Sequence, residues 1–390
     1  MILILGWVFV PFYSRSMVYT MPEFLERRYN PQSRTILSVI SLVSYVLTKV
    51  AVTVYAGGLV FQQVFGIKEL WGIDFFWIAA IGLVVLTALY TIFGGMKSVL
   101  YTSVLQTPIL LLGSLIILVL GFKELGGWDE MMRVCGAVTV NDYGDTMTNL
   151  IRSNDDANFP WLGALIGSAI IGFWYWCTDQ FIVQRVLSGK NEKEARRGTI
   201  FGAYLKLLPV FLFLIPGMIA FALHQKYIGA GGEGFLPMLA NGTANADAAF
   251  PTLVAKLLPA GVKGLVVCGI LAALMSSLAS LFNSSAMLFT IDFYKRFRPE
   301  TPEKKLVGIG QIATVVIVIL GILWIPIMRS VGDVLYTYLQ DVQSVLAPGI
   351  AAAFLLGICW KRTSAQGGMW GLIAGMIIGL TRLGAKVYYS

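Results

Sequence analysis

Long apolar runs limit the folds open to this chain more than any single motif does. A helix needs about 20 apolar residues to cross about 30 Å of hydrocarbon at about 1.5 Å per residue. Of the 390 residues, 57% are hydrophobic and only 13% are charged. About nine runs are long enough to span, and we place them at 34–62, 73–94, 97–121, 161–185, 198–224, 262–290, 305–328, 334–359 and 366–388. The sequence therefore predicts an all-α polytopic membrane protein.

The first apolar run, residues 1–13, is too short to span a bilayer. It would extend only about 20 Å as a helix. It also lacks the basic start and the small-residue cleavage site of a signal peptide. We interpret it as the second half of a transmembrane helix, so the chain is expected to be a fragment that lacks its natural N-terminus. A signal anchor is the alternative.

Basic residues lie on alternate loops between the predicted spans. One set of loops carries Arg15, Arg27, Arg28, Arg34, Lys97, Arg185, Lys190, Lys193, Arg196, Arg197, Lys295, Arg296, Arg298, Lys304, Lys305, Lys361 and Arg362. The loop at 122–160 on the opposite side is acidic. The positive-inside rule makes the basic loops cytoplasmic. The sequence thus predicts a multi-pass protein of the cell membrane, and its net charge of +8 does not indicate a nucleic-acid partner.

The residue types that usually carry catalysis are few and scattered. The four cysteines, at positions 135, 177, 268 and 359, form no CxxC pair, and three of them lie in predicted spans. The single histidine, His224, has no candidate ligand partners nearby in sequence. Since there is neither a Ser-His-Asp set nor an acid pair within one span, the pattern argues against an enzyme.

Polar side chains interrupt the predicted span at 161–185. Residues 172–185 read GFWYWCTDQFIVQR, which places Tyr175, Trp176, Asp179 and Gln180 within two turns of helix. Unpaired polar groups cost several kcal/mol inside a membrane. Such a concentration of polar groups predicts a binding site at this depth.

Other spans carry polar groups that have two interpretations each. Lys49 and Lys206 lie within spans, where a lysine is expensive and faces protein or an aqueous cavity. A purely structural pairing is the alternative for both. Gln340 and Gln343 lie on adjacent helical turns, an arrangement that lets two amides face one cavity. Interhelical hydrogen bonds are the alternative for the two glutamines.

The span at 262–290 contains a serine-rich segment. The hydroxyls of Ser276 and Ser277 and the carbonyl of Ala273 are hard oxygen ligands of the kind that bind a small cation, once another segment completes the shell. Small residues also let helices pack closely. On spacing alone, packing is the favoured interpretation of these residues.

Together these motifs resemble the sodium:solute symporter family and, within it, the sodium/glucose cotransporters. The resemblance rests on residues 93–96, 174–180, 182–185, 204–209, 275–280, 354–357 and 360–362, whose order and spacing cover nearly the whole chain. It implies a leucine-transporter-type fold of two inverted five-helix repeats, with the substrate held between broken helices. A chain truncated at both ends would contain the remainder of the first repeat, an extracellular loop, the second repeat and an additional C-terminal helix, at 1–121, 122–160, 161–359 and 360–390.

The resemblance also implies which residues bind the solute. By position, Tyr175 matches the aromatic inner gate that lies beneath a bound sugar, and Trp176 lies beside it. Lys206 and Gln340 match positions that hydrogen-bond sugar hydroxyls in the family. These four residues are therefore the predicted sugar site.

Ala273, Ser276 and Ser277 match the site of Na⁺, the coupling ion of the family. Two positions depart from the family pattern. Gly172 stands where some members have a polar sugar contact, and Ser103 stands where an aspartate is expected on the sodium path. The broken first helix that would complete both sites is missing, so this chain by itself is expected not to transport.

The resemblance implies sodium-coupled symport of a sugar such as glucose or galactose across a lipid bilayer, by alternating access. A different solute, such as inositol, a sialic acid or an amino acid, is the first alternative. A sugar sensor or channel without coupled uptake is the second, and a non-functional fragment is the third. The sequence predicts neither the sodium stoichiometry nor the oligomeric state.

Overall fold

The computed structural model describes residues 1–18, 20–156, 159–239, 241–331 and 334–389. Within the helices, residues 90, 92–99, 102, 329–331 and 386–389 are described by their backbone alone. In this part of the chain, the one sheet has two short antiparallel strands, β1 (Glu69–Leu70) and β2 (Ile73–Asp74). Helices make up nearly all of the remaining regular structure, which confirms the predicted all-α class.

Five helices precede the loop at 137–160: α1 (Ile2–Ser16), α2 (Met21–Arg28), α3 (Pro31–Phe65), α4 (Phe75–Leu125) and α5 (Trp128–Gly136). Among the described residues that follow it, nine longer helices are α6 (Trp161–Thr178), α7 (Gln180–Leu187), α8 (Glu192–Leu205), α9 (Ile215–Gly229), α10 (Ala249–Leu257), α11 (Ala260–Met287), α12 (Glu303–Val331), α13 (Leu335–Cys359) and α14 (Ala365–Tyr389). Two short helices lie at Ala246–Ala248 and Lys295–Phe297. Segments of π-helix lie at Leu5–Phe9, Tyr45–Val50, Trp174–Thr178, Val210–Leu214 and Leu288–Tyr294.

Eight helices among the described residues are long and apolar enough to cross a membrane, and the bent pair of α1 and α2 would make nine. The eight helices overlap eight of the nine predicted spans, whereas the bent pair covers the first apolar run, which was predicted to be too short to span. The structure has the continuous helix α4 where the sequence predicts two spans, at 73–94 and 97–121. The motif at 93–96, which contributes to the family resemblance, lies outside the residues whose side chains are described.

Side-chain caps determine where α2 and α3 begin. Thr20 accepts a hydrogen bond from the Glu23 amide ahead of α2, and Asn30 accepts one from the Ser33 amide ahead of α3. The first amides of a helix have no partner within the helix, so a capping oxygen stabilises that end. A proline in each first turn adds to the effect, since its missing N–H removes no helical hydrogen bond there. The short helix α2 therefore begins at residues whose local chemistry favours a helix start.

Contacts divide the chain into two compact units. The first comprises Met1–Val52, Ile166–Leu205 and Leu278–Ser390, and the second comprises Thr53–Leu165 and Lys206–Ser277. In the second unit, α9 packs against α4, α5 and α10 around a core that includes Ile117, Ile219 and Leu223. In the first, an aromatic core forms around Tyr13, Phe24, Trp174 and Phe354.

Small residues let α13 and α14 approach closely within the first unit. A Cβ atom added at Gly375 would lie 2.7 Å from the Gly349 Cα atom. One added at Gly379 would lie 2.4 Å from the Val345 carbonyl oxygen. Gly371, Gly375 and Gly379 recur every four residues along one face of α14, which is the spacing that favours close helix packing in membranes.

The loop at 137–160, in the second unit, is organised around Asp145. Its carboxylate accepts hydrogen bonds from the Asn141 side chain at 2.8 Å, the Asn149 side chain at 3.0 Å and the Ser153 amide at 2.7 Å. The bonds from Asn141 and Ser153 are the main causes that hold the pKa of Asp145 below its ordinary value. The carboxylate thus holds together an acidic loop whose described residues, 137–156 and 159–160, form no regular helix.

Candidate functional site

The predicted span at 161–185 is broken inside the polar stretch. Helix α6 ends in the π-helical segment Trp174–Thr178, and Asp179 takes an extended conformation with φ −79° and ψ 124°. Its carboxylate accepts a hydrogen bond from the Phe181 amide at 3.0 Å and so caps α7. An aspartate is a preferred cap and an anion is favoured at a helix N-terminus. The predicted span is therefore present, but it ends at Thr178 and not at Arg185, because a capping residue within the run begins a new helix.

Tyrosine hydroxyls satisfy backbone carbonyls in the π-helical segments of α6 and α3. Tyr13 donates to the Cys177 carbonyl at 2.8 Å, and Tyr338 donates to the Leu47 carbonyl at 2.9 Å. Trp324 in turn donates its indole N–H to the Tyr338 hydroxyl at 2.7 Å. Because an unpaired backbone group costs several kcal/mol in hydrocarbon, these bonds make the distorted helices tolerable inside the membrane.

Asp179 is the centre of a buried polar cluster in the first unit. The Tyr45 hydroxyl donates to its Oδ1 atom at 2.8 Å, and the Lys49 ammonium forms an ion pair with its Oδ2 atom. The side chains of Asp179 and Lys49 are only 3% and 10% exposed. The sequence contains both residues, but 130 positions separate them, and no local signal pairs them. The pair is the main feature that the sequence analysis missed.

Aromatic rings surround the Lys49 ammonium. Its nitrogen lies 4.6 Å from the ring centroid of Tyr45, 4.5 Å from that of Phe181 and 5.3 Å from that of Tyr175. A cation within about 6 Å of an aromatic face is attracted to the ring. Tyr175 also meets Trp176 edge-on, with ring centroids 5.0 Å apart. The structure thus brings the predicted gate residues together with an ion pair that was not part of the predicted site.

The other two predicted sugar-binding residues have different surroundings. Gln340 is half-buried on α13 in the first unit, and its amide donates to the Tyr336 hydroxyl one turn earlier, at 3.2 Å. Lys206 is exposed and directly follows the end of α8 at Leu205, in the second unit. Their roles in binding a solute stay predictions.

The predicted cation ligands lie on α11 in the second unit. The Ser276 side chain is buried, and its hydroxyl lies 2.7 Å from that of Ser103, the residue that departs from the family pattern. Ser277 and Ala273 are half-buried on the same helix. Hydroxyl and carbonyl oxygens are hard, neutral donors and suit Na⁺ in kind. Ser103 therefore adds a hydroxyl beside the predicted sodium ligands where the family pattern has a carboxylate.

Helix α7 is attached to the later part of α11, where both belong to the first unit. The Gln184 amide donates to the Ser280 carbonyl at 3.0 Å, and the Arg185 Nε atom donates to the Ser280 hydroxyl at 2.8 Å. The Arg185 guanidinium also lies over the Phe181 ring, at 5.1 Å from its centroid. These contacts fix the helix that starts at Asp179 against the serine-rich helix.

Interrupted helices with polar groups buried at the interruption, in a chain of eight or nine spans, define a protein of the secondary-transporter class. A family model described as the sodium:solute symporter family matches residues 1–375. The chain belongs to the sodium:solute symporter family. Its relatives are membrane transporters and not enzymes, as the sequence predicts.

Several named cotransporters are similar to this chain. It is 37% identical to sodium/myo-inositol cotransporter 2 of Homo sapiens and 40% identical to a sodium/mannose cotransporter of Bos taurus, in each case over 98% of its length. It is 39% identical to sodium/glucose cotransporter 1 of Ovis aries over its full length. The chain spans 57%, 65% and 60% of these three relatives, respectively.

A solved structure confirms the predicted type of fold. It is a substrate-bound outward-open state of a Na⁺-coupled sialic acid symporter, and it aligns with a TM-score of 0.73 over 98% of this chain and 81% of the other. The sequences are 22% identical, so the likeness concerns the fold alone. The chain therefore has the inverted-repeat architecture of leucine-transporter type.

Proposed function

We propose that this chain forms the membrane core of a symporter that couples sodium entry to the uptake of a ring polyol, either a hexose or an inositol. The observation that carries the proposal is the Lys49–Asp179 ion pair beside Tyr175 at the break between α6 and α7. In a member of the sodium:solute symporter family, such a buried polar break is where a solute binds.

The chemistry of the cluster supports a ring polyol as the solute. The relatives above are named for glucose, mannose and myo-inositol, each of which is a six-membered ring carrying hydroxyls. Aromatic rings stack on the C–H face of such a ring, while amides and charged groups bond its hydroxyls. We assign Tyr175 and Trp176 to the stacking role, and Lys206 and Gln340 to the hydroxyls.

We assign sodium binding to Ala273, Ser276 and Ser277 on α11. Sodium held there would stabilise the outward-open arrangement, because a ligand shifts the population toward the state that binds it better. Inward movement of each charge down a potential of 100 mV adds about 2.3 kcal/mol to the driving force. The hydroxyl of Ser103 lies 2.7 Å from that of Ser276. Because serine is uncharged, the proposed sodium path lacks at this position the negative charge of the expected aspartate.

We further infer the domain arrangement and the orientation. Residues 1–121 belong to the first inverted repeat, 122–160 to an extracellular loop, 161–359 to the second repeat and 360–390 to an additional helix. The basic loops face the cytoplasm of a cell whose plasma membrane holds the protein.

Uptake into proteoliposomes tests the function. Because this chain by itself is expected not to transport, the vesicles contain it within a complete symporter. They receive labelled glucose, mannose, myo-inositol or sialic acid, with an inward sodium gradient or an equal potassium gradient. We expect accumulation of a ring polyol above its outside concentration, only with sodium. Sodium-driven accumulation of sialic acid alone would move the assignment to a different solute. Equilibration without accumulation would favour a channel or sensor, and the lack of both transport and binding would overturn the proposal.

Variants separate the site from general effects on the protein. Gln340→Ala and Lys206→Ala are expected to raise the half-saturating solute concentration about tenfold each, since a hydrogen bond to a solute hydroxyl is worth about 1 kcal/mol or somewhat more. The matched control is Gln225→Ala, which removes an exposed glutamine at the end of α9. An equal effect of the control would contradict the assigned site.

A further inference from the structure

An apolar groove runs along the surface of the first unit between α3, the π-helical residues Leu288–Tyr294 that follow α11, and α12. It encloses about 490 Å³ and is lined by Leu42, Val46, Phe289, Ile312, Val316 and Leu320, among others. Ile312 and Val316 are 66% and 49% exposed. Since α3 and α12 are long and apolar enough to span a membrane, these exposed side chains would face hydrocarbon, which is the environment of lipid acyl chains.

The α12 wall of the groove ends in a cation. Ile309, Ile312 and Val316 recur at the spacing of one helical face, and Lys305 lies four residues before Ile309 on that same face. The Lys305 side chain is exposed in the first turn of α12. The apolar stripe of this helix is therefore continuous with an ammonium group at its N-terminal end.

The α3 wall ends in a second cation, which a neighbouring segment supplies. The Arg296 guanidinium donates to the Pro31 carbonyl at 2.7 Å and to the Thr35 hydroxyl. Thr35 lies seven residues, or about two turns, before Leu42 and so on the same face of α3. These bonds hold Arg296 at the same end of the groove as Lys305.

The segment that joins the π-helical residues Leu288–Tyr294 to α12 is strongly basic. Five basic residues lie between positions 295 and 305, namely Lys295, Arg296, Arg298, Lys304 and Lys305. The acidic residues in this range are Glu300 and Glu303. An excess of positive charge next to a membrane span attracts anionic lipid headgroups, and a guanidinium matches the geometry of a phosphate.

We propose that this groove binds an anionic phospholipid of the bilayer. An acyl chain lies along Leu42, Ile312 and Val316, and the headgroup phosphate contacts Lys305 and Arg296. The apolar wall selects a lipid chain, and the basic end selects a negative headgroup. The site is separate from the cluster around Asp179, and its occupancy does not depend on the proposed transport.

Lipid retention tests this site. The protein is reconstituted in nanodiscs that contain equal amounts of phosphatidylcholine and phosphatidylglycerol, and it is then extracted in mild detergent. Native mass spectrometry identifies and quantifies the lipid that stays bound. We expect phosphatidylglycerol to be retained in preference to phosphatidylcholine. Lys305→Gln is expected to lower that preference about fivefold, because one basic residue near the membrane surface is worth about 1 kcal/mol.

Two more variants test the acyl-chain groove and control for the loss of a surface charge. Val316→Trp fills the groove and is expected to abolish retention of both lipids, without lowering the unfolding temperature in detergent. Lys193→Gln removes an exposed lysine of α8, away from the groove, and is expected to leave the preference unchanged. Equal retention of both lipids by the unmodified protein, or equal effects of Lys193→Gln and Lys305→Gln, would overturn the proposal.

Discussion

Lys49 and Asp179 illustrate how a buried charge depends on its partners. Taking both ions out of water costs several kcal/mol each, and only their mutual attraction and further hydrogen bonds compensate for it. Here the Tyr45 hydroxyl and the Phe181 amide complete the shell of the carboxylate, and three aromatic rings face the ammonium. Each residue is therefore tolerated only because of the others.

Removing one partner of this pair is expected to be costly. Lys49→Met leaves Asp179 buried with an uncompensated charge, so we expect a loss of about 3–5 kcal/mol in the free energy of unfolding. Thermal unfolding in detergent measures it. The double variant Lys49→Met/Asp179→Asn should lose less free energy of unfolding than the sum of the losses in Lys49→Met and Asp179→Asn. The control Lys190→Met, at an exposed lysine, should change the stability by less than about 0.5 kcal/mol. Equal unfolding temperatures for Lys49→Met and the unmodified protein would contradict the view that the buried ion pair stabilises the fold.

The serines of α11 allow a matched comparison on one helix. Ser277→Ala removes a proposed sodium ligand, and we expect the sodium concentration for half-maximal binding or uptake to rise about tenfold, as for the loss of one interaction worth about 1.4 kcal/mol. Ser285 is fully buried on the same helix, and its hydroxyl has no hydrogen-bond partner among the side chains and backbone that the structure describes. Ser285→Ala should therefore leave sodium dependence unchanged and be neutral or stabilising. Sodium dependence that is identical in the two variants would remove Ser277 from the site.

At the scale of elements, close packing between α13 and α14 rests on glycines. Gly379→Leu places a side chain where even a Cβ atom would meet the Val345 carbonyl at 2.4 Å. We expect a destabilisation of about 1–3 kcal/mol or more, as for other overpacked sites, measured by thermal unfolding in detergent.

The same helix provides the control for this prediction. Gly371 belongs to the same repeating face of α14, but a Cβ atom added there would meet nothing within 4 Å. Gly371→Ala should be neutral, or stabilising by up to about 1 kcal/mol, because alanine favours a helix over glycine. Equal losses at Gly371 and Gly379 would show that the close approach is not the cause.

The loop at 137–160 should respond to pH through Asp145. Its pKa is lower in the folded protein than in the unfolded chain, because hydrogen bonds from Asn141 and Ser153 favour the charged form. The stabilisation is therefore present above the unfolded value of about 3.9 and is lost as the pH falls through the folded value. Hydrogen exchange of the Ser153 amide, corrected for its intrinsic pH dependence, should show protection at pH 7 and at pH 5 that disappears only in stronger acid.

Two substitutions check that the pH response of the loop comes from the Asp145 carboxylate. Asp145→Asn should remove the protection of Ser153 already at pH 7, because it takes away the charged acceptor. Asp142→Asn, at a neighbouring exposed aspartate, should leave it intact. Protection that fades between pH 7 and 5 in the unmodified loop would assign the effect to another group.

At the scale of the whole molecule, orientation is open to a direct test. Asn241-Gly242-Thr243 is an exposed N-glycosylation sequence in the loop between α9 and α10. The proposed topology puts this loop outside, so expression through a eukaryotic secretory pathway should attach a glycan that a glycosidase removes. Asn241→Gln should abolish the mass shift. A second such sequence, Asn283-Ser284-Ser285, lies within the span Ala260–Phe297 and should stay unmodified. A glycan elsewhere, or none, would contradict this orientation.

Much of the architecture follows from the sequence because it rests on local properties. Apolar length alone predicts the spans, since a bilayer has one thickness, and Pro22 with the capping Thr20 is enough to begin α2. The family motifs are also local, so their order along the chain identified the sodium:solute symporter family and its fold. Tyr175, Trp176, Ser276 and Ser277 were candidate site residues for the same reason.

Only the tertiary structure decided which distant residues meet. Lys49 and Asp179 are 130 residues apart, and Ser103 and Ser276 are 173 apart, so no periodicity or spacing pairs them. The break at Asp179 was also invisible, because a capping aspartate inside an apolar run starts a new helix only if its charge finds partners. The close approach of Gly349 and Gly375 likewise depends on two helices being brought together. Local chemistry and membrane thickness thus determine the elements, whereas desolvation and packing between distant segments determine the site.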